Sequence, residues 1–578
     1  MSQAHRVLLE QSAAEGVDRV GPTTWQDAPA EHEQDSAVER DRLLRPRNAW
    51  WLWLALAALW FATSPVRPLL DPDEGRYAEI PREIVASGDW VTPHLDDLKY
   101  FEKPPLQYWA TAATYKLFGQ SPWTARLWTV GVSFLCLPLV FAWTARRYGR
   151  AAGLAALLAL AVSPYFEFVG HLNLLDGAFS FWLDATLFSF ALAQCAPLAS
   201  KSERNWMLVA WLAAALAVLS KGIVVGVLSG ATLTLYCVLE RDTRPWRRLH
   251  WLAGVPLCLL VAAPWFVTVS LRNPGFAGFF FVHEHFARFL TTVHERVEPW
   301  WYFTVVLVIA ALPWLAALPA ATREAWSSEP ADSQFKPLKF FLLFAVVTLV
   351  FFSASGSKLA PYILPAIPPL VVIVGVMAAR RSNFARQTGT LTGILLLILG
   401  AGLAIYCGHV YGVLPAPFIG WLLGVGVAAL LILLATDKLH RSPSRLACTV
   451  AAAAILGWQS LLCAFAAIPD RSGHDLLETA RPAIRPDTEL FSLDQYRETL
   501  SPYLHRTLTL VHFQGELAYG LSEDPSKELS DEAFLAHWNA SNNAVAFVSP
   551  RALPSWLRRG LQGREIARDN ETVVISRM

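Results

Sequence analysis

The first polar segment of the chain, residues 71–109, combines carboxylates, cations and aromatic side chains in one short stretch. It reads DPDEGRYAEIPREIVASGDWVTPHLDDLKYFEKPPLQYW, with nine acidic and four basic residues. Asp73 and Glu74 open this segment, and Asp176 begins a later apolar segment. Carboxylates there can orient or deprotonate a nucleophile while nearby cations stabilise a departing phosphate. The pattern predicts a catalytic set of Asp73, Glu74 and Asp176, with a solvated acidic loop and a helix-capping Asp176 as the alternatives.

Four cations form a second group, because each stands near the outer end of an apolar segment. They are Lys103 in FEKPP, Lys221 in LSKG, Arg288 in HEHFARF and Lys358 in SGSKLAPYILP. A charged side chain at such a position needs an anionic partner. Together they predict a binding site for a phosphate held at the membrane surface. Salt bridges to the loop acids, or contacts with lipid headgroups, are the alternatives.

Histidines between residues 272 and 300 suggest a possible metal ion. His283 and His285 are two residues apart, and Glu102 of the first loop could join His283 around a divalent cation. Two histidines at this spacing do not share a helix face, so interfacial histidines are the favoured interpretation. No cofactor is firmly required. All seven cysteines fall in apolar segments, which indicates core residues and no disulfide framework.

The composition identifies the elements that must position these residues. Of 578 residues, 54% are hydrophobic and 16% are charged, against about 25% charged in soluble domains. Repeated apolar runs of about 20 residues predict an α-helical polytopic membrane protein. Thirteen spans are expected at 49–69, 122–145, 151–166, 174–196, 205–220, 223–239, 249–271, 300–321, 338–354, 360–379, 388–410, 416–436 and 446–468.

The distribution of basic residues predicts the orientation. Lysines and arginines concentrate in alternate short connections, which places those connections in the cytoplasm. Residues 1–48 are then a disordered cytoplasmic tail, and residues 49–468 form the membrane domain, with outer loops at 70–121 and 272–300. An odd number of spans puts residues 469–578 outside, where alternating strand and helix patterns predict a small α/β domain. Pro105–Phe118 is too short to span a bilayer and is expected to lie on the outer surface.

The segment 71–109 resembles the aminoarabinose transferase family of Gram-negative inner membranes, within the GT-C group that includes protein O-mannosyltransferases. SKLAPYILP, residues 357–365, is a second match. The resemblance implies an inverting glycosyltransferase of the inner membrane with a periplasmic C-terminal domain. It also implies an undecaprenyl phosphate-linked aminoarabinose donor and a lipid A phosphate acceptor, a modification that confers polymyxin resistance.

Carried over by position, Asp73 is the catalytic carboxylate, with Asp176 beside it. Lys103, Lys358 and Tyr362 fall in the donor-phosphate region, which Lys221 and Arg288 join on the charge argument above. The residues expected to shape the site are Arg76, Tyr77 and Tyr100. Two features depart from the family pattern. Gly75 stands where members commonly carry Thr, and Pro105-Leu106-Gln107 replaces a Gly-containing stretch.

Because of these departures, a GT-C enzyme that moves another polyprenyl-linked sugar to a lipid, glycan or protein hydroxyl remains an alternative. A transporter or flippase of polyprenyl lipids is the alternative from another class. It predicts functional charges at mid-membrane depth and internal repeats, whereas here the polar residues crowd one face. The expected partners are the lipid-linked donor, lipid A and membrane lipids, with no nucleic acid, for a protein expected to be a monomer.

Overall fold

The structure is a computed structural model that describes residues 46–287, 298–327, 334–412, 414–513 and 515–577. The tail predicted over residues 1–48 lies outside these ranges, except for residues 46–48, which begin the first helix. Arg288 also lies outside them. The side chains of residues 46–49 and 285–287 are likewise outside the description.

Up to residue 466, the regular elements of the described ranges are helices, together with one hairpin of two two-residue strands. The helices and strands are α1 Pro46–Phe61, α2 Asp73–Ser87, β1 His94–Leu95, β2 Leu98–Lys99, α3 Leu106–Phe118, α4 Pro122–Tyr148, α5 Arg150–Ala161, α6 Pro164–Gly170, α7 Leu175–Cys195, α8 Lys201–Lys221, α9 Val224–Glu240, α10 Arg244–Arg247, α11 Trp251–Arg272, α12 Tyr302–Ala311, α13 Leu318–Ser327, α14 Pro337–Ala354, α15 Ile367–Ala378, α16 Phe384–Tyr411, α17 Ala416–Lys438 and α18 Pro443–Ala466. A π-helix, Gly278–Ala287, follows α11, and 3₁₀ turns Leu312–Ala317 and Ala360–Ala366 precede α13 and α15.

Within the described ranges, nine helical segments are long and apolar enough to cross a membrane, or ten if the bent pair α5–α6 counts as one span. The expected segments without that support are those at α1, α8 and α9. The apolar part of α1, Trp50–Phe61, and the whole of α9 are shorter than a full span, and α8 is not among the sufficiently apolar helices. The protein is therefore a multi-pass helical membrane protein with nine to ten apolar spans of full length.

The centre of the bundle is the packing of α5 against α15. Every residue of α15 is buried, and so are most residues of α5. A Cβ atom at Gly375 of α15 would lie 2.6 Å from both the backbone nitrogen and the Cβ of Ala156. Small residues let membrane helices approach this closely. α5 and α15 therefore form a tightly packed pair at the centre of the bundle.

The first loop folds into α2, the β1–β2 hairpin and α3. Asp73 and Glu74 occupy the first turn of α2, where carboxylates complement the helix dipole, and Gly88 ends the helix in a left-handed conformation with φ +75°. α3, 13 residues long, is too short for a full span, as the sequence predicted for Pro105–Phe118. Most of α2 is buried, although the helix is rich in charge, so its charged side chains must find partners within the protein.

The C-terminal residues form a six-stranded mixed sheet with short helices. Its remaining elements are α19 His474–Ala480, β3 Glu489–Leu493, α20 Leu500–Leu504, β4 Thr509–Val511, α21 Ala518–Glu523, β5 Glu528–Leu529, α22 Asp531–Ala540, β6 Ala544–Val548, α23 Leu553–Arg558, β7 Arg564–Arg568 and β8 Val573–Ser576, with 3₁₀ turns at Arg481–Ala483, Gly515–Leu517 and Pro525–Lys527. The strand order is β5-β4-β3-β6-β8-β7. The pairs β5–β4, β4–β3 and β3–β6 are parallel, and β6–β8 and β8–β7 are antiparallel.

The sequence patterns of this region predict strands over residues 489–492, 508–512, 543–548, 564–567 and 572–576. All five are present, and the structure adds the short β5. The same patterns predict a helix over residues 493–505, which is wrong in its first half. Leu493 still belongs to β3, and the following Asp494 adopts a left-handed conformation with φ +53°, which interrupts any right-handed helix. Only the last turn, α20, is helical.

Candidate functional site

Asp73 is an accessible carboxylate at the start of the first loop. Its side chain is 43% exposed at the start of α2, and its Oδ1 lies 3.4 Å from Nη1 of Arg76, one turn along the same helix. Arg76 itself is buried. The carboxylate is therefore held by one moderately close cation and is otherwise open to a ligand, as a reacting group must be.

Glu74 has the opposite environment, although it is the next residue. Its carboxylate accepts hydrogen bonds from Arg67 and Arg126, at 2.7–3.3 Å, and from the backbone N–H groups of Leu70 and Asn173. Burial raises the pKa of Glu74, but the two guanidiniums and these hydrogen bonds outweigh it and lower the pKa to about 2. Both oxygens are fully engaged, which favours a structural role over the predicted catalytic one.

Arg67 and Arg126 were missed by the sequence analysis. Arg67 also donates to the backbone carbonyl of His171, and Arg126 donates to the carbonyls of Arg67 and Pro68. These contacts join the chain before α2 to α4 and to the α6–α7 connection. Both arginines stand near apolar segment ends on the face of the first loop, so the rule that selected Lys103 and Lys221 could have selected them too.

Tyr77 is an aromatic residue of the first loop that lies near Tyr108 of α3. It is buried on α2, with its ring centroid 6.2 Å from that of Tyr108. Burial raises the pKa of Tyr77, and the negative charges of Asp73 and Asp176 raise it further. Both carboxylates therefore contribute to the electrostatic environment of the same phenol.

Asp176, Lys221 and Tyr362 form a compact group at the ends of α7, α8 and the Ala360–Ala366 turn. The Lys221 ammonium pairs with the Asp176 carboxylate and lies 4.4 Å from the centroid of the Tyr362 ring. Lys358 is buried nearby in sequence, and its ammonium donates to the carbonyl of Ser355 at 2.8 Å. The structure thus brings Lys221 and Tyr362 together, while Lys358 is anchored in its own loop.

Lys103 connects the first loop to the π-helix. Its Nζ lies 3.4 Å from Glu284 Oε2 and 3.6 Å from Glu102 Oε2, and Glu284 Oε1 is 3.5 Å from Nδ1 of His283. Among the described residues, no three histidine, cysteine or acidic side chains are arranged to hold a metal ion. The metal site suggested at Glu102 and His283 stays a prediction, as does the role of Arg288.

The C-terminal domain contributes two carboxylates that nothing in the local sequence indicated. Glu516 Oε2 lies 2.5 Å from Nη2 of Arg76, and Glu498 Oε1 lies 3.7 Å from the same nitrogen. The domain is fastened beside them, because Arg497 pairs with Asp71 at 2.8 Å. Gly75 completes the fit: a Cβ there would lie 2.5 Å from the Glu498 backbone carbon.

Two family profiles match the chain. The profile named aminoarabinose transferase C-terminal domain matches residues 476–577, and that of dolichyl-phosphate-mannose-protein mannosyltransferases matches residues 49–280. The undecaprenyl phosphate-alpha-4-amino-4-deoxy-L-arabinose arabinosyl transferase of Aeromonas salmonicida is 30% identical over 547 residues, which cover 90% of this chain and 93% of the relative. The chain belongs to the aminoarabinose transferase family.

The fold agrees with this membership. The chain is similar to the crystal structure of ArnT from Cupriavidus metallidurans bound to undecaprenyl phosphate, with a TM-score of 0.81 and 32% sequence identity. The match covers 92% of this chain and 99% of the Cupriavidus chain. A relative from Pectobacterium carotovorum, with the same printed name as the Aeromonas protein, is 30% identical over 91% of this chain and 89% of its own. The family predicted from residues 71–109 and 357–365 is confirmed, and the comparisons favour a transferase over a transporter.

Proposed function

We propose that the protein transfers 4-amino-4-deoxy-L-arabinose from undecaprenyl phosphate to a phosphate of lipid A. The observation that carries the proposal is the set of polar side chains at the ends of the helices: accessible Asp73 beside Arg76 on α2, and the Asp176–Lys221 pair whose ammonium lies 4.4 Å from the centroid of the Tyr362 ring. The relatives from Aeromonas salmonicida and Pectobacterium carotovorum are named for arabinosyl transfer from this donor, which supports the proposed identity of the donor. The acceptor follows from the family resemblance.

The reaction we propose is a single displacement with inversion. An oxygen of the lipid A phosphate attacks the anomeric carbon of the sugar, and the bond from that carbon to the undecaprenyl phosphate oxygen breaks. The electron pair stays on the departing undecaprenyl phosphate. Because the attacking phosphate is already anionic at neutral pH, Asp73 orients the reacting groups and is not needed to remove a proton.

The cations would compensate the charge that builds up on the departing phosphate. The Lys221 ammonium lies over the Tyr362 ring and pairs with the Asp176 carboxylate. A phosphate oxygen could replace part of the interaction between Lys221 and Asp176. Lys103 stands between two carboxylates on the first loop and the π-helix. Lys358 and Arg288 complete the set on the charge argument. Preorganised cations of this kind stabilise a leaving phosphate without reorganisation during the reaction.

We further propose the topology in which the polar face is periplasmic, the N-terminus is cytoplasmic and thirteen segments cross the inner membrane. The apolar helices α1, α8 and α9 would supply the crossings beyond the nine or ten full-length spans. This arrangement places the basic connections in the cytoplasm and puts Asp73, Asp176 and the C-terminal domain on one side, where the lipid-linked donor would present its sugar.

Mass spectrometry of lipid A tests the activity directly. A polymyxin-sensitive strain without its own transferase would express the protein or its Asp73→Ala variant, with membrane levels of both measured. We expect aminoarabinose-modified lipid A with the wild type only. Unmodified lipid A from cells that contain folded wild-type protein would refute the lipid A assignment and direct attention to other acceptors. Equal modification by the variant would exclude Asp73 from the reaction.

A further inference from the structure

Gln107 is a buried polar residue in the stretch 105–107, which departs from the family pattern. It lies in the first turn of α3 and is 1% exposed. Its Nε2 donates a hydrogen bond to Oδ1 of Asn173 at 3.1 Å. Asn173 is itself fully buried, in the short connection between α6 and α7. This hydrogen bond therefore joins the first loop to the segment that leads into α7 and Asp176.

Asn173 is attached to the first loop a second time, through its main chain. Its backbone N–H donates to Oε1 of Glu74 at 2.9 Å. Glu74 follows Asp73 in the first turn of α2. Asn173 thus contacts α2 with its main chain and α3 with its side chain, and Asp176 follows it by three positions. The two predicted acids, Asp73 and Asp176, are connected through this one residue.

α3 provides a firm attachment because it packs on α2. The hydroxyl of Tyr115 on α3 donates to the backbone carbonyl of Ala78 on α2 at 3.2 Å. Tyr108, next to Gln107, has its ring centroid 6.2 Å from that of Tyr77 on α2. A side chain of α3 that holds the α6–α7 connection therefore also relates that connection to α2.

Stability alone does not explain why two amides are buried at this point. Among the residues that the structure describes, no hydrogen bond reaches Oε1 of Gln107, Nδ2 of Asn173 or the hydroxyl of Thr111, one turn further along α3. Polar groups buried without partners are unfavourable, and apolar side chains of the same shape can be as stable or more stable. A hydrogen bond does, however, fix the distance and direction between two groups. Alignment therefore explains the amide pair better than stability does.

We propose that Gln107 is a positioning residue for the transfer reaction: its hydrogen bond to Asn173 holds the start of α7 in place relative to the first loop. The proposal rests on the proposed function, in which Lys221 meets the departing phosphate and Asp73 orients the reacting groups. Because Lys221 pairs with Asp176 in the first turn of α7, a displacement of that turn would move the cation too. Gln107 then acts on the reaction without touching either substrate.

The two kinetic constants separate positioning from binding. Without the hydrogen bond, Lys221 can still bind the donor phosphate, so KM for the donor should change less than about 3-fold. The relative placement of Lys221 and Asp73 matters in the transition state, in which both act together. A misplacement of about 1 Å, caused by a mutation far from the chemistry, can lower the rate about 100-fold. We therefore expect Gln107→Met to lower kcat about 10- to 100-fold.

Initial rates of the detergent-purified full-length enzyme measure this. The donor, undecaprenyl phosphate carrying 4-amino-4-deoxy-L-arabinose, would be titrated at saturating lipid A, and thermal unfolding would be recorded for each variant. The matched control is Gln194→Met. Gln194 is 2% exposed at the other end of α7, where its Nε2 lies 3.5 Å from the carbonyl oxygen of Pro245. The control should lose a similar amount of stability and keep the wild-type kcat.

A double variant separates alignment from stability and serves if Gln107→Met alone fails to fold. Gln107→Met combined with Asn173→Leu leaves neither amide unpaired, and replacing both partners by apolar groups of similar shape can be nearly neutral. The backbone N–H of Asn173 keeps its bond to Glu74. We expect the unfolding temperature to return toward that of the wild type while kcat stays low.

Three results would overturn the inference and leave the transferase activity standing. The first is a folded Gln107→Met enzyme with the wild-type kcat. The second is a double variant in which kcat recovers together with stability. The third is an equal loss of kcat in Gln107→Met and Gln194→Met, since activity would then only follow stability. A wild-type enzyme that transfers no sugar would instead refute the proposed function itself.

Discussion

Asp73 and Glu74 are adjacent in sequence, and we predict that their amide substitutions have opposite consequences. Glu74→Gln would leave Arg67 and Arg126, whose side chains are 2% and 0% exposed, without a compensating charge. The pKa of about 2, against an ordinary 4.5, corresponds to about 3 kcal/mol at 1.36 kcal/mol per pKa unit. Breaking a buried ion pair costs about 3–5 kcal/mol of folding free energy, which agrees with the value from the pKa shift.

The sign of the pH dependence follows from the same shift. Since folding lowers the pKa of Glu74, its contribution to stability is fully present above about pH 4.5 and is lost as the pH falls toward 2. In the Gln variant this contribution is missing at every pH. The difference in unfolding temperature between wild type and variant should therefore be large at pH 7 and should narrow as the pH approaches 3.

Asp73→Asn should leave stability almost unchanged. Its partly exposed pair with Arg76 contributes about 0–1 kcal/mol. Activity should fall at least about 100-fold if Asp73 orients the reacting groups. Stability is measured by heating the detergent-solubilised proteins and monitoring their unfolding by size-exclusion chromatography. Activity is measured as transfer of the sugar to lipid A. A stable but inactive Glu74→Gln protein, or an active Asp73→Asn protein, would refute the division of roles.

Three further predictions concern the surroundings of the site. Asp96→Asn should stabilise the protein at pH 9 and have little effect near pH 3, because burial raises the pKa of Asp96 from 3.8 to about 8, so that its ionisation opposes folding increasingly as the pH rises above about 4; a melting series across pH checks this. Gly75→Thr should lower both the unfolding temperature and the activity by pushing against the Glu498 backbone. Lys221→Gln should raise KM for the donor about 10-fold or more and should also lower the unfolding temperature, because it leaves the Asp176 carboxylate, whose side chain is 13% exposed, without its cation; donor titration of initial rates and thermal unfolding measure the two effects.

Local elements could be predicted from the sequence because each depends on nearby residues. Alternating and helical patterns located the strands of the last domain and the short helix α3. Asp176 and Lys221 could be selected because each is a charged residue at the end of an apolar segment. The two form a salt bridge in the structure. The number of crossings does not follow from length alone, because a helix such as α9 is apolar but only 17 residues long.

The partners of buried charges could not be predicted in the same way. Glu74 and Asp73 carry the same group in the same turn, and only the positions of Arg67 and Arg126 in space distinguish them. Glu516 contacts Arg76 from 440 residues further along the chain. No periodicity records a contact between such distant segments. The tertiary arrangement alone decides which acid is saturated and which remains available.

The fastening of the last domain to the first loop has a consequence for how the protein is made. The ribosome completes Asp71, Asp73 and Arg76 early in synthesis, whereas Arg497 and Glu516 emerge close to the end. Until then the Arg497–Asp71 and Glu516–Arg76 pairs do not exist. In a nascent or prematurely terminated chain, Asp71 and Arg76 therefore lack these partners, and the first loop acquires its final arrangement of charges only after the last domain has folded against it.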